Sequence, residues 1–343
     1  MNWTVEEIPE LRGYCVEWAE PGNFYLSRRN VVYHSSDLKP PFEHIATIDA
    51  LLWKTLASKS RLAQRLLRFM VMNVVPLGDG SLFVTFDKSV GIVRDGKYKH
   101  LDGLARPCRV LRGSCAVGEN GDIYFGEYLA NTERGPMRIY RYKTGGDMLE
   151  IVYTFPAGAI RHVHGVYYDP FTRSLFCLTG DDEKECNILR TDDGFKTVET
   201  VGSGDETWRA VSMLFSKESL LYGTDAEFRE NNILELDRQT RERRDLGTVN
   251  GTVFYSKQVG DDLVFTTTAE NAPSQTENVA ALWLVTGGEC RQLAKFKKDR
   301  WHTSLFQFGT IHFPHTNRLD GELYFQLVAV QGDGRTFRVR REQ

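Results

Sequence analysis

Short runs of alternating apolar and polar residues, separated by Gly, Asp and Asn corners, occupy most of the chain. An alternation of period two marks half-buried strands rather than helices. The runs fall in groups of four that recur about every 40–50 residues, a period of propellers or solenoids in which four-stranded units select the propeller. The group is clearest in the middle of the chain. Residues 161–168 read as a first strand, ended by the turn Asp169-Pro170-Phe171-Thr172-Arg173. A second strand over 174–178, a charged loop over 180–185, a third strand over 186–190 and a fourth over 197–201 complete it. The same order returns over 109–155, 208–248 and 252–296, more compactly over 71–101, and again over 14–48. From residue 303 the chain supplies three strands, and 3–8 supplies the fourth from the other terminus, because an open seam would leave unpaired edges. The pattern predicts an all-β, seven-bladed β-propeller built from 1–343 as a single domain, or six blades if 14–48 is irregular.

One segment departs from the alternation. Over 48–70, Leu52, Leu56, Ala63, Leu66, Leu67 and Met70 stand near helical spacing, with Lys54, Lys59, Arg61, Arg65 and Arg68 elsewhere. This predicts a basic amphipathic helix inserted at 49–70 between the first two blades. Its apolar stripe would pack on the rim of the propeller or rest on a membrane surface as a peripheral contact.

Composition narrows the setting. A formal net charge of −3 gives no electrostatic case for nucleic acid. No apolar run reaches spanning length. The first residues, Met1 to Glu7, lack the basic and apolar regions of an export signal, so a cytoplasmic protein is expected. Six cysteines without CxxC spacing suit reduced thiols and give no zinc ribbon, with Cys177 and Cys186 expected on neighbouring strands. No Gly-rich phosphate loop, nucleophile elbow or HExxH pattern occurs, and no cofactor or metal is expected. Oligomeric state is not encoded in any of these features.

Candidate chemistry gathers on one side. In a propeller the entries to first strands and the loops between second and third strands emerge on the same face. Here those connections are the long, charged ones, and long loops on a rigid scaffold carry function. After second strands come Glu127, Asp181 with Asp182, Asp225 and Glu270; entering first strands come Arg106, Arg109, Arg112, Arg161, His162, Trp208, Arg209, Arg300, Trp301 and His302. Turn alignment sets Arg112, His162 and Arg209 at one level of the channel, with His164 and Tyr255 a level deeper. Facing carboxylates suit an acid–base pair, and arginines from separate blades suit a bidentate grip on a carboxylate or sulfate. Trp208 and Trp301 could stack on a sugar. Because neighbours on a strand point to opposite sides in alternation, regular pairing sends successive side chains apart, and a slip by one residue exchanges faces. His162 and His164 are not expected to ligate one metal without a kink; His164, His302, His312 and His315 form only a weak metal pattern.

Thr191-Asp192-Asp193-Gly194-Phe195-Lys196-Thr197-Val198 resembles the Asp-box (BNR repeat) of sialidase-like propellers, with Phe195 in place of the second Gly and Val198 in place of the Trp. Lys143-Thr144-Gly145-Gly146-Asp147 is a fainter copy. The resemblance covers two blades at most and implies a turn-forming, structural element. The family also implies three arginines on a carboxylate, a Tyr–Glu nucleophile pair and an Asp acid, for which Arg112, Arg161 or Arg209, Tyr255 and Glu270 are the matching residue types. Seven-bladed polysaccharide lyases imply His, Tyr and Arg instead, for which His164, Tyr255 and Arg209 would serve. The leading expectation is a glycoside hydrolase on an acidic oligosaccharide or polysaccharide, with Asp181 or Asp225 as proton donor and Glu127 or Glu270 as its partner. The alternatives are β-elimination from a uronate and a non-catalytic propeller that binds a glycan or protein.

Overall fold

Each blade buries both faces against its neighbours, which is why the middle strands lose their alternation. Ser174–Gly180, Leu82–Phe86 and Ser219–Thr224 are buried at every position, whereas the outer strand Lys97–His100 is mostly exposed. The computed structural model describes residues 2–342 and is a seven-bladed β-propeller. Blades 1 to 6 start with inner strands Cys15–Glu20, Val71–Pro76, Ala116–Val117, His162–Asp169, Ala210–Phe215 and Val253–Val259. Blade 7 runs Thr310–His312, Glu322–Val328, Thr336–Arg341 and then Trp3–Glu7 from the other terminus. That closing strand pairs antiparallel, Trp3 opposite Arg341 and Glu7 opposite Phe337. The predicted seven blades and their closure are therefore observed.

The core is divided between the blade interfaces. Phe176, Leu178 and Ile188 of blade 4 pack on Met213, Leu220 and Tyr222 of blade 5, and Val32, Ala46 and Ile48 of blade 1 on Val71, Val74 and Val84 of blade 2. Apolar burial of this kind contributes about 25 cal/mol per Å2 and ties each sheet to the next. The six cysteines are unpaired, as expected of reduced thiols. Cys177 lies in the second strand of blade 4, and Cys186 follows the short turn Glu183–Glu185 rather than occupying the neighbouring strand.

The insertion differs from the expected single helix. Two short helices, α1 (Leu52–Ala57) and α2 (Arg61–Leu66), are separated at Ser58–Ser60, and Ser60 caps α2 through the Ala63 amide. The buried face of α2 is polar: Arg65 is 2% exposed, 2.5 Å from Asp299 and 2.6 Å from the Phe306 carbonyl. Leu51, Leu52, Trp53, Leu56 and Leu66 are exposed instead. Ion pairs hold the segment down, because the groups available beneath it are Asp87, Asp299 and Asp333. No helix among the described residues is long and apolar enough to cross a membrane.

The Asp-box-like turn joins the third and fourth strands of blade 4. Asp193 accepts from the Thr197 amide at 2.9 Å and its hydroxyl at 2.8 Å, bonds that hold its carboxyl down at about 2. Phe195 turns inward to the interface of blades 3 and 4.

Candidate functional site at the upper mouth of the channel

The channel is closed at mid-height by an ion pair. Arg112, 3% exposed, reaches across to Glu17 of blade 1 at 2.5 Å and to the Val71 carbonyl at 2.8 Å. Below it lies a cavity of about 570 Å3 lined by Tyr167, Lys257 and His315. Above it a cavity of about 90 Å3 is lined by Arg109, Tyr128 and His312, and Tyr255 borders both. The floor of the lower cavity comes from Phe313–Arg318 residues, where Thr316 and Asn317 pair parallel with Trp18 and Ala19 inside blade 1. Arg112 is thus committed to Glu17 rather than open to a ligand, which the turn alignment did not foresee.

At the upper mouth, blades 3, 4 and 5 bring one cluster together. It begins with a β-bulge between Val163 and Gly165, opposite Thr179 and Leu178. Side chains two apart on a strand share a face under regular pairing. His164 is the unpaired residue of the bulge, and the rings of His162 and His164 lie with centroids 5.1 Å apart. The expectation that these two histidines diverge is corrected here. Both face Asp181 Oδ1, His162 Nε2 at 3.4 Å and His164 Nε2 at 3.5 Å. Asp181 holds φ at +119°, a backbone state rare for a side-chain-bearing residue. Its neighbour Gly180 is needed for space, since a Cβ there would come within 2.9 Å of both His164 and Arg209.

Charge completes the cluster. Arg161 lies 2.8 Å from Asp181 Oδ2, and Arg209 lies 3.3 Å from Oδ1 and 2.9 Å from Asp225 Oδ2. Burial alone would raise the Asp181 carboxyl, but the groups gathered around it hold it far below its usual range. Asp225 goes the other way. Burial, joined by the charges of Glu270 and Asp181, pushes it well up against the pull of Arg209. Burial lowers His164, so its ring stays neutral near pH 7. Tyr128, absent from the sequence-based set, packs on His162 with ring centroids 4.2 Å apart and is raised by burial and by Asp181. Its position after Glu127 was the available signal.

The remaining expected residues lie elsewhere. Glu127 is 0% exposed and taken up by Arg106 at 2.7 Å, the Tyr140 hydroxyl at 2.8 Å and the Arg138 amide at 3.1 Å. It has no oxygen left for a substrate and cannot serve as the expected base. Glu270 accepts from the Thr252 and Thr268 hydroxyls. Tyr255 sits deeper, 5.7 Å from His312 between ring centroids. Trp208 turns away from the mouth to stack on Tyr222 beneath the Arg243 guanidinium. Arg300 lies over Trp301, which packs on Phe306 at the rim of blade 7. His302 is exposed beside Ser304, and His315 is bound to Cys115 in the lower channel.

No family model and no curated protein matches the sequence. Solved structures do match the fold. An oligogalacturonate lyase in complex with manganese aligns with TM-score 0.63 and 10% identity, over 99% of this chain and 91% of that one. A chain of a mitotic checkpoint complex aligns with TM-score 0.57 and 12% identity, over 99% and 93%. A prolyl endopeptidase aligns with TM-score 0.56 and 11% identity, over 92% of this chain and 46% of that one. At these identities the likeness is one of fold.

Proposed function

We propose that the protein is a carbohydrate-active enzyme that takes an acidic, carboxylate-bearing glycan at the upper mouth and cleaves it by β-elimination. The observation that carries this reading is the convergence of Arg161, His162, His164 and Arg209 on one carboxylate beside Tyr128. Hydrolysis needs a proton donor and a second free carboxylate across a gap of about 5–9.5 Å. Glu127 is saturated and Asp181 is held ionised, so Asp225, though pushed up by burial, has neither of them as a free carboxylate partner. Elimination needs less from carboxylates. The sugar carboxylate is neutralised at the arginine end, which acidifies the hydrogen on the adjacent carbon. A base takes that proton, the new carbon–carbon double bond forms, and the leaving oxygen departs with a proton.

Tyr128 is the proton-transfer group in this reading, acting as tyrosinate on the ring hydrogen and returning the proton to the leaving oxygen. Burial raises its phenol, so the active form grows with pH and turnover should climb through the alkaline range. The solved oligogalacturonate lyase supports the reading only in that its fold houses such a reaction. The test is a panel of uronate-containing oligosaccharides followed by ultraviolet absorbance of the unsaturated product and by mass. Absorbance without gain of water, lost in Tyr128→Phe by roughly 100-fold or more, is expected. Products that gain water and do not absorb would mean hydrolysis, and binding without turnover would mean a glycan-binding scaffold.

A further inference from the structure

We infer that His162, His164 and Asp181 bind one divalent transition-metal ion at the upper mouth. The argument starts from the imidazole protons. His162 Nδ1 lies 3.0 Å from the Leu129 carbonyl and His164 Nδ1 lies 2.8 Å from the Ala210 carbonyl. A carbonyl oxygen only accepts, so each Nδ1 carries the proton and each neutral ring presents a bare Nε2 lone pair. Metal-ligating histidines are oriented in this way, the second nitrogen tied to a backbone carbonyl.

Both lone pairs then face an oxygen. Asp181 Oδ1 stands 3.4 and 3.5 Å from the two Nε2 atoms, and the three donors fall within 4.8 Å of one another. Lone pairs directed at a carboxylate repel unless something positive lies between them. His162 Nε2 is buried and has no hydrogen-bond partner. Arg161 and Arg209 already stand 2.8 and 3.3 Å from that carboxylate. A metal ion answers the geometry. With bonds of about 2.0–2.2 Å, ligands at tetrahedral corners are about 3.4 Å apart, which matches the spacing here.

The surroundings are built for the purpose. The two rings lie together on one side, Asp181 is kept at positive φ, and Gly180 leaves room that a Cβ would fill. Two imidazoles and one carboxylate select zinc, manganese, iron or cobalt over magnesium or calcium, which take oxygen ligands. Arg161 and Arg209 stand beside Asp181, so a further ligand that completes the site is an anion. That the anion is a sugar carboxylate rests on the elimination reading; the metal site itself does not.

The test uses the full chain, stripped with a chelator and titrated with zinc by calorimetry and with cobalt by visible absorption. One ion per chain, a rise in melting temperature with metal concentration and the strong visible bands of tetrahedral cobalt are expected, with no response to magnesium. His162→Ala and His164→Ala should weaken binding by more than the roughly 10–100-fold that loss of an outer-shell partner costs, while His302→Ala binds as the parent does. If an alanine variant does not fold, His162→Gln, read as its own melting shift with and without zinc, takes its place. No stoichiometric ion in the parent chain, or equal binding by the histidine variants, overturns the proposal. Metal binding without turnover of any uronate leaves the site standing and removes the elimination reading. Turnover that survives chelation, with no ion bound, does the reverse.

Discussion

Glu17 and Arg112 meet where water is scarce, and such a pair is tolerated because further partners complete it: the Ser27 hydroxyl donates to Glu17 and the Val71 carbonyl accepts from Arg112. The same burial governs the histidines along the channel. His315 is lowered to about 4 from an ordinary 6.5, by burial first and then by the neighbouring Lys257 charge, with Arg112 adding to it and the Cys115 carbonyl opposing. His312 moves the same way, by burial and by Arg112 and Arg61. Between pH 6.5 and about 4 the unfolded chain takes up a proton at His315 that the folded chain refuses. Stability therefore falls as pH drops through that window, by up to about 1.4 kcal/mol per unit. Chemical denaturation across pH 4–7 should show this acid limb, and His315→Gln should reduce its slope, leaving the share that His312 and His164 contribute. A profile unchanged by that substitution would remove His315 as its source.

The helices of the insertion have little apolar anchorage, since α1 buries no side chain and α2 buries only Gln64 and Arg65. Arg65 makes two bonds to the Phe306 carbonyl and one to Asp299, joining α2 to the segment that precedes blade 7. Removing one partner of a buried pair costs about 3–5 kcal/mol, whereas a partly exposed pair such as Lys54–Asp87 is worth about 1 kcal/mol or less. Arg65→Ala should thus destabilise the protein several times more than Lys54→Ala in equilibrium unfolding. Equal effects would show that Arg65 does not anchor the segment. An amphipathic pattern located this segment. It misplaced the face, because helical periodicity does not report which of two stripes finds partners, and here the carboxylates underneath select the basic one.

At the scale of the whole ring, closure rests on Trp3–Glu7 against Thr336–Arg341, reinforced by Arg338 with Glu6 and Arg335 with Glu7. Residues at opposite ends of the chain thereby share one blade. Deleting residues 2–8 would leave Thr336–Arg341 as an open edge, a template for pairing with another chain. Such a truncation should lower the melting temperature and promote self-association by light scattering. An unchanged monomer would mean that the seam contributes little.

The sequence alone determined the blades, their order and the strand that closes the ring, since strand alternation and turn residues are local signals that survive without a fold. It also marked the face on which Arg161, His162, His164, Asp181, Arg209 and Asp225 lie, because position within a repeat fixes the end of the blade from which a side chain emerges. Which of those residues meet was decided only by the tertiary structure. A one-residue bulge reverses the facing of a strand, and nothing in His162-Val163-His164-Gly165 shows that the bulge falls there rather than a residue away. Glu127 and Arg112 read as free functional groups until Arg106, Tyr140 and Glu17, distant in sequence, are brought against them. Partnering of charges is a property of the packed ring, and it separates the residues that build the channel from those that are open to use it.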